Sequence, residues 1–158
     1  MRLEDYLPGV PDFPKPGILF RDIGPLLANA KAFTAAIEGL ASLSKSDRFT
    51  HILGIESRGF IFASALANHL GKGLVLVRKP NKLPPEVHRE SYGLEYGNDA
   101  LEISTTVLSS VHKVLIVDDV PENLRVLKEV MDALDCQIVV ANSGERALEL
   151  LERTQPCL

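Results

Sequence analysis

The sequence has no tryptophan, only two cysteines and no apolar run of membrane-spanning length. Each shortage closes a class. Cys136 and Cys157 are too few for the disulfide framework of a small secreted domain, and neither has a histidine at metal-ligand spacing. The four histidines, His51, His69, His88 and His112, are scattered along the chain, so no zinc motif is legible. The stretch "GFIFASALANHL" is interrupted by Ser64, Asn68 and His69, well short of the roughly 20 apolar residues of a membrane helix. The opening "MRLEDYLPGV" lacks the apolar centre of a signal peptide, so a reducing cytoplasm is the expected compartment. Positive charge is not in excess either. The net charge of −4 gives no general attraction to nucleic acid or to a membrane surface, and neither is expected as a partner.

What is present is the composition of a globular protein, 46% hydrophobic and 24% charged over 158 residues. That is the size of one domain with a real core. Residues 8–25, "PGVPDFPKPGILFRDIGP", are dense in proline and glycine and predict an arm with turns, not a core element. Asn29 can cap a helix over about 30–45, with Phe33, Ile37, Leu40 and Leu43 on one stripe. "HILGIES" (51–57) reads as a short apolar strand and 58–71 as a helix stopped by Gly71. "GLVLVRK" (73–79) reads as a second buried strand. Residues 79–100 break the rhythm with a long polar loop, a length that is usually functional or mobile. Its second part can pair with 101–107 as a hairpin. "KVLIVDD" is a strand, 121–135 a helix with Leu124, Leu127, Met131 and Leu134 on one face, "CQIVVANS" a strand, and about 145–153 a last helix.

Strands alternating with helices imply an α/β domain, residues 1–158, with a short, mostly parallel, doubly wound sheet. Ligands of such sheets bind beyond the carboxyl ends of the strands. Here those ends carry Glu56-Ser57-Arg58-Gly59, Arg78-Lys79, Asp118-Asp119 and Asn142-Ser143-Gly144. Cations, acids and glycine-bearing turns on one rim suit a phosphorylated, metal-assisted ligand.

Five segments, "DFPKPGILFRDIGPLL" (12–27), "GIESRGFIFASALA" (54–67), "VRKPNKLP" (77–84), "ESYGLEYGNDALEI" (90–103) and "KVLIVDD" (113–119), together resemble adenine phosphoribosyltransferase. The resemblance covers about residues 8–119 and implies a type I phosphoribosyltransferase-like fold with an N-terminal arm and a lid loop or hairpin. It implies transfer of ribose 5-phosphate from phosphoribosyl pyrophosphate to adenine with Mg²⁺, giving AMP and diphosphate, in a homodimer. The reaction passes through an oxocarbenium-like state with a highly charged leaving group, which cations must neutralise in a water-excluded site. By resemblance Ser57 and Arg58 would meet the diphosphate at a helix N-terminus. Lys79 and Lys82 would bring charge on the lid. Glu95 would handle the adenine proton, and Tyr96 would close over the substrate. Leu19 and Phe20 would make apolar contact with the base while backbone near Arg21 reads its edge. Without the resemblance the plainer readings are a capping or paired Arg58, solvated lysines, a surface Glu95 and a Phe20 that anchors the arm.

After the two aspartates the chain departs from the family's pattern. The family continues roughly "VLIVDDLLATGGT", a loop whose backbone N–H groups hold the 5-phosphate. This chain reads "VLIVDDVPENLRVLKEVM". Pro121 offers no N–H, and Glu122 puts negative charge into the first turn. The same residues start a helix well: Pro suits the first position, and Asp119 with Glu122 has capping-box spacing. Asp118 and Asp119 therefore stand between two readings, ligands for ribose hydroxyls or Mg²⁺, and the cap of the next helix. Residues 113–156 also resemble the first β-α-β-α portion of a response-regulator receiver domain, which implies a junction near 113–121 and a receiver-like part over 113–158. The strand carrying that family's phosphoacceptor aspartate would follow Leu158. About four parallel strands are expected, 52–56, 74–78, 114–118 and 138–142, with the apolar last strand at an edge that favours self-association. Three functions remain open: a salvage enzyme that is weak or inactive for want of its 5-phosphate loop, a non-catalytic scaffold that binds purine or nucleotide, and a receiver-like signalling fragment.

Overall fold

A computed structural model describes residues 1–43, 49–94, 97–109, 112–117, 121–132 and 137–141. The chain divides into two compact units, Met1–Ser42 and Leu43–Leu158. In the first, a 3-10 turn (Leu3–Tyr6) precedes β1 (Gly9–Pro11) and β2 (Leu19–Arg21), which pair antiparallel with Val10 opposite Phe20. The proline-rich arm is thus a small hairpin. The Gly17 N–H donates to Asp12 Oδ1 at 2.7 Å, and the rings of Phe13 and Phe20 meet edge to face at 5.1 Å. Both strands are largely exposed, as expected of an arm. After the short α1 (Gly24–Ala28), the long α2 (Ala30–Leu43) begins at Asn29, whose Oδ1 accepts the Ala32 N–H at 3.0 Å. That is the predicted cap. Of the predicted stripe, Ile37 is buried and Leu40 is exposed; Ala32 is fully buried instead.

The second unit holds β3 (His51–Ile55), α3 (Arg58–Leu70), β4 (Gly73–Arg78), β5 (Val87–Leu94), β6 (Gly97–Ser104), β7 (Lys113–Val117), α4 (Pro121–Asp132) and β8 (Gln137–Ala141). They form one six-stranded sheet in the order β5-β6-β4-β3-β7-β8. The four expected strands are there, all parallel, as β4-β3-β7-β8. The sheet is nevertheless larger and more mixed than expected. The β5–β6 hairpin joins it antiparallel, with Val77 opposite Ile103 and Arg78 opposite Glu102. The 79–100 loop accordingly shrinks to 79–86, because alternation in "VHRESYGL" and "GNDALEIS" is satisfied by cross-strand pairing. Among the described residues β8 is an edge strand, as predicted. The last predicted helix lies outside the described residues, as do Leu134, Asn142, Ser143 and Gly144.

Period-two alternation decides the layers. Val75 and Val77 of β4 are fully buried in a core with Leu101, Ile103, Leu108, Val114, Leu127 and Met131, so α4 covers this face of the sheet. Leu74 and Leu76 point the other way and stay more than a third exposed; β4 is buried on one face only, not on both. Helix α3 lies along β3 at Gly54, where an added Cβ would sit 2.8 Å from Ala63 Cβ. Gly71, at φ +63°, ends α3 in the left-handed cap expected of it.

Candidate active site

The close approach at Gly54 lets β3 run straight into α3, and Glu56, Ser57 and Arg58 emerge together at the carboxyl end of the strand. The Glu56–Ser57 peptide is cis. Ser57 occupies the N-cap position of α3, yet its hydroxyl makes no capping hydrogen bond. Arg58 is the first residue of the helix, and both it and Ser57 are exposed. The first-turn N–H groups of a helix carry partial positive charge, which adds to that of Arg58.

Beside this corner lies the turn that leaves β4, residues 78–82. The carboxylate of Glu56 organises it. Oε1 accepts from the ammonium of Lys82 at 2.5 Å, and Oε2 accepts the backbone N–H of Lys79 at 2.9 Å. Arg78 donates one guanidinium nitrogen to Glu56 Oε1 at 3.5 Å and another to the carbonyl of Lys82 at 2.9 Å. Its buried Nε makes no hydrogen bond and stands 3.4 Å from Glu56 Oε2 as a charge contact. The Arg78 guanidinium also lies 5.9 Å from the ring of Phe60 on α3. The ammonium of Lys82 first, then the N–H of Lys79, pull the Glu56 carboxyl down to about 2; desolvation opposes them and Arg78 adds a smaller pull. A second carboxylate holds the same turn. Glu102 Oε2 accepts the Asn81 N–H at 2.9 Å, and Oε1 accepts from Arg89 Nε at 2.8 Å.

The structure therefore brings Ser57, Arg58, Lys79 and Lys82 to one corner of the second unit. Leu19, Phe20 and Arg21 follow one another on β2 in the first unit, where an Arg21 guanidinium nitrogen donates to the Leu7 carbonyl at 3.3 Å. Glu95, Tyr96, Asp118 and Asp119 lie outside the described residues. Among the described residues no group of three or more His, Cys, Asp or Glu side chains is placed to hold a metal ion. No described helix is long and apolar enough to cross a membrane.

Sequence reasoning placed Glu56 and Arg78 on this rim, Glu56 only as a pairing partner for Arg58 and Arg78 without a role, and it passed over Glu102 and Arg89. A signal for the last two was present. In the hairpin register Arg89 stands opposite Glu102, so opposite charges fall directly across from one another.

The arrangement is a cation-lined corner at the carboxyl end of a parallel sheet, suited to a polyanion. A phosphoribosyl transferase domain model matches residues 25–138. The adenine phosphoribosyltransferase of Polynucleobacter asymbioticus is 66% identical over 120 residues, which span 76% of this chain and 70% of that protein.

This chain belongs to the adenine phosphoribosyltransferase family.

Its fold is the type I phosphoribosyltransferase fold, α/β with a mixed sheet, and its relatives place it with purine salvage. The crystal structure of the enzyme from Thermoanaerobacter pseudethanolicus superposes with a TM-score of 0.79 at 38% identity, covering 94% of each chain. That of the Saccharomyces cerevisiae enzyme, complexed with an imino-altritol bisphosphate and adenine, gives 0.77 at 34% identity and covers 87% of this chain and 85% of that one. The family match does not stop at the two aspartates: it continues through α4 into β8.

Proposed function

We propose that this adenine phosphoribosyltransferase homologue binds adenine and phosphoribosyl pyrophosphate and forms AMP and diphosphate weakly or not at all. The observation that carries the reading is the corner where Ser57 and Arg58, at the start of α3, stand beside the turn bearing Lys79 and Lys82. Arg58, the α3 N-terminus, Lys79 and Lys82 would neutralise the departing diphosphate, lowering the barrier where charge develops. Leu19, Phe20 and the backbone at Arg21 would hold the base; the yeast relative's structure is a complex with adenine. Glu95 would exchange the adenine proton and Tyr96 would cover the substrate. Mg²⁺ is expected to accompany the co-substrate; when bound it would screen the diphosphate charge, with Asp118 and Asp119 as its protein-side candidates, directly or through ribose hydroxyls.

The reading of impaired turnover rests on the connection after β7. That strand ends at Val117 and α4 starts at Pro121. Only three residues remain between them, and they contain no glycine or threonine. A loop with the family's Gly-Gly-Thr has no room there, and Asp119 with Glu122 suits a helix cap. The receiver-like reading of 113–158, and with it a chimeric junction, rests on the sequence after Asp119 alone, and the family match that runs on to residue 138 counts against it. Without the 5-phosphate anchor the ribose is held less well for attack, which costs on the order of a hundredfold or more in rate. The same connection favours a second reading, a scaffold that binds purine or nucleotide without turnover. Self-association would run through the β8 edge.

The test is Mg²⁺-dependent AMP formation from adenine and phosphoribosyl pyrophosphate, in folded wild-type protein and in a variant with Gly-Gly-Thr grafted after Asp119. Slow or undetectable turnover that rises in the graft is expected. A wild type with family-like turnover would overturn the impairment. Ligand binding with no turnover in either protein would favour the scaffold.

A further inference from the structure

Glu102 is the buried charged residue among the described residues, 3% exposed. A carboxylate withdrawn from water is costly unless paired and hydrogen-bonded. It sits on β6, between β4 and β5, and its partners in register are Arg78 on one side and Arg89 on the other. Arg89 contacts one carboxylate oxygen twice, through Nε at 2.8 Å and a terminal nitrogen at 2.5 Å. The other oxygen is turned to the Asn81 N–H, and Arg89 also reaches Asn81 Oδ1 at 3.3 Å. Asn81 is thus gripped by backbone and side chain, and it holds φ +64°, a conformation that L-residues adopt at a cost. Lys82 follows it directly, and Lys79 precedes it by two positions. Glu56 grips those two neighbours from the β3 side, and Glu102 grips the middle of the turn from the β6 side. Bulk stability alone does not call for this arrangement, because a well-packed apolar pair serves as well as a buried ion pair. An ion pair that spends its second oxygen on one loop N–H sets geometry.

We propose that Glu102, with Arg89, is a positioning residue. Acting through Asn81, it presents Lys79 and Lys82 to a diphosphate group and tunes affinity for that group, not for the base. The inference rests on the reading of this corner as the diphosphate site. Glu102→Gln and Arg89→Lys are compared with the wild type by calorimetric titration, separately with inorganic diphosphate plus Mg²⁺ and with adenine. Amide hydrogen exchange at Asn81 is followed in the unliganded proteins. In Glu102→Gln, diphosphate affinity is expected to fall about tenfold, the size of a charge-assisted hydrogen bond, with adenine affinity unchanged and Asn81 exchange accelerated. Arg89→Lys, which keeps the charge but loses the fork, is expected to show the same selective loss to a smaller degree, and it carries the test if Glu102→Gln does not fold. Equal loss of both ligands, or unchanged diphosphate affinity in a folded variant of a wild type that binds, overturns this inference alone. A wild type that binds no diphosphate overturns the reading of the corner and this inference with it.

Discussion

The two ends of the parallel strands are built on opposite electrical terms. At the carboxyl end, two carboxylates collect Arg78, Lys82, Arg89 and two loop N–H groups around one turn. At the amino end, ionic pairing gives way to neutral hydrogen bonding. The Thr50 N–H donates to the Lys113 carbonyl at 2.9 Å, and the Lys113 N–H donates to Thr50 Oγ1 at 3.0 Å. Thr50 Oγ1 also lies 2.9 Å from His51 Nδ1. The imidazoles of His51 and His112 meet edge to face at 4.4 Å, and His112 Nδ1 accepts the Ser109 N–H at 2.9 Å. Burial first, and His112 second, push His51 below its ordinary pKa. One end is thus fastened by two carboxylates that bind cations and loop N–H groups, while the other closes the strand starts, among the described residues, mainly through hydrogen bonds and the contact of two imidazoles.

The largest test of this contrast is Gly54→Ala. The new methyl would lie 2.8 Å from Ala63 Cβ and 3.3 Å from the Gly59 carbonyl, so α3 itself must move. A loss of about 2–3 kcal/mol in urea unfolding is expected, together with weaker diphosphate binding, because Ser57 and Arg58 move with the helix. Gly73→Ala is the matching change at the amino end. Its methyl would fall against the His51 imidazole, but an imidazole can rotate away where a helix backbone cannot. The expected loss is about 1 kcal/mol, the scale of one hydrogen bond given up, with diphosphate binding intact. If Gly73→Ala proves the costlier of the two, the contrast fails.

Smaller effects separate the ends by pH. His51 is lowered from 6.5 in the folded chain, so below that value the unfolded chain binds more protons. Stability is full above about 6.5 and declines as pH falls through the window below it. Glu56 is lowered from 4.5 to about 2. Its contribution is full above about 4.5 and is lost as pH falls toward 2. Thermal unfolding across pH should show both acid losses, His51→Gln removing the first and Glu56→Gln the second. One variant abolishing both losses would mean that the two ends are coupled, not independent.

Much of this was legible before any coordinates. The cap at Asn29, the stop at Gly71, the four parallel strands and the edge position of β8 follow from local propensity and period. The segments at 12–27, 54–67 and 77–103 carried the family. Residue contacts that join distant positions were less accessible. The hairpin register that pairs Arg89 with Glu102 joins two strands whose polarity resembles a loop. The edge-to-face contact of His51 with His112 depends on β7 lying beside β3, which no single-strand pattern reveals.

The sequence by itself determined the class of the protein and the residue types at its rim, because strand period, glycine placement and motif order are local properties of the chain. Only the tertiary structure decided that Glu56 and Glu102 grip one turn from two sides. That arrangement requires β6 to dock antiparallel beside β4, and cross-strand register is settled when the sheet forms, not by any one segment.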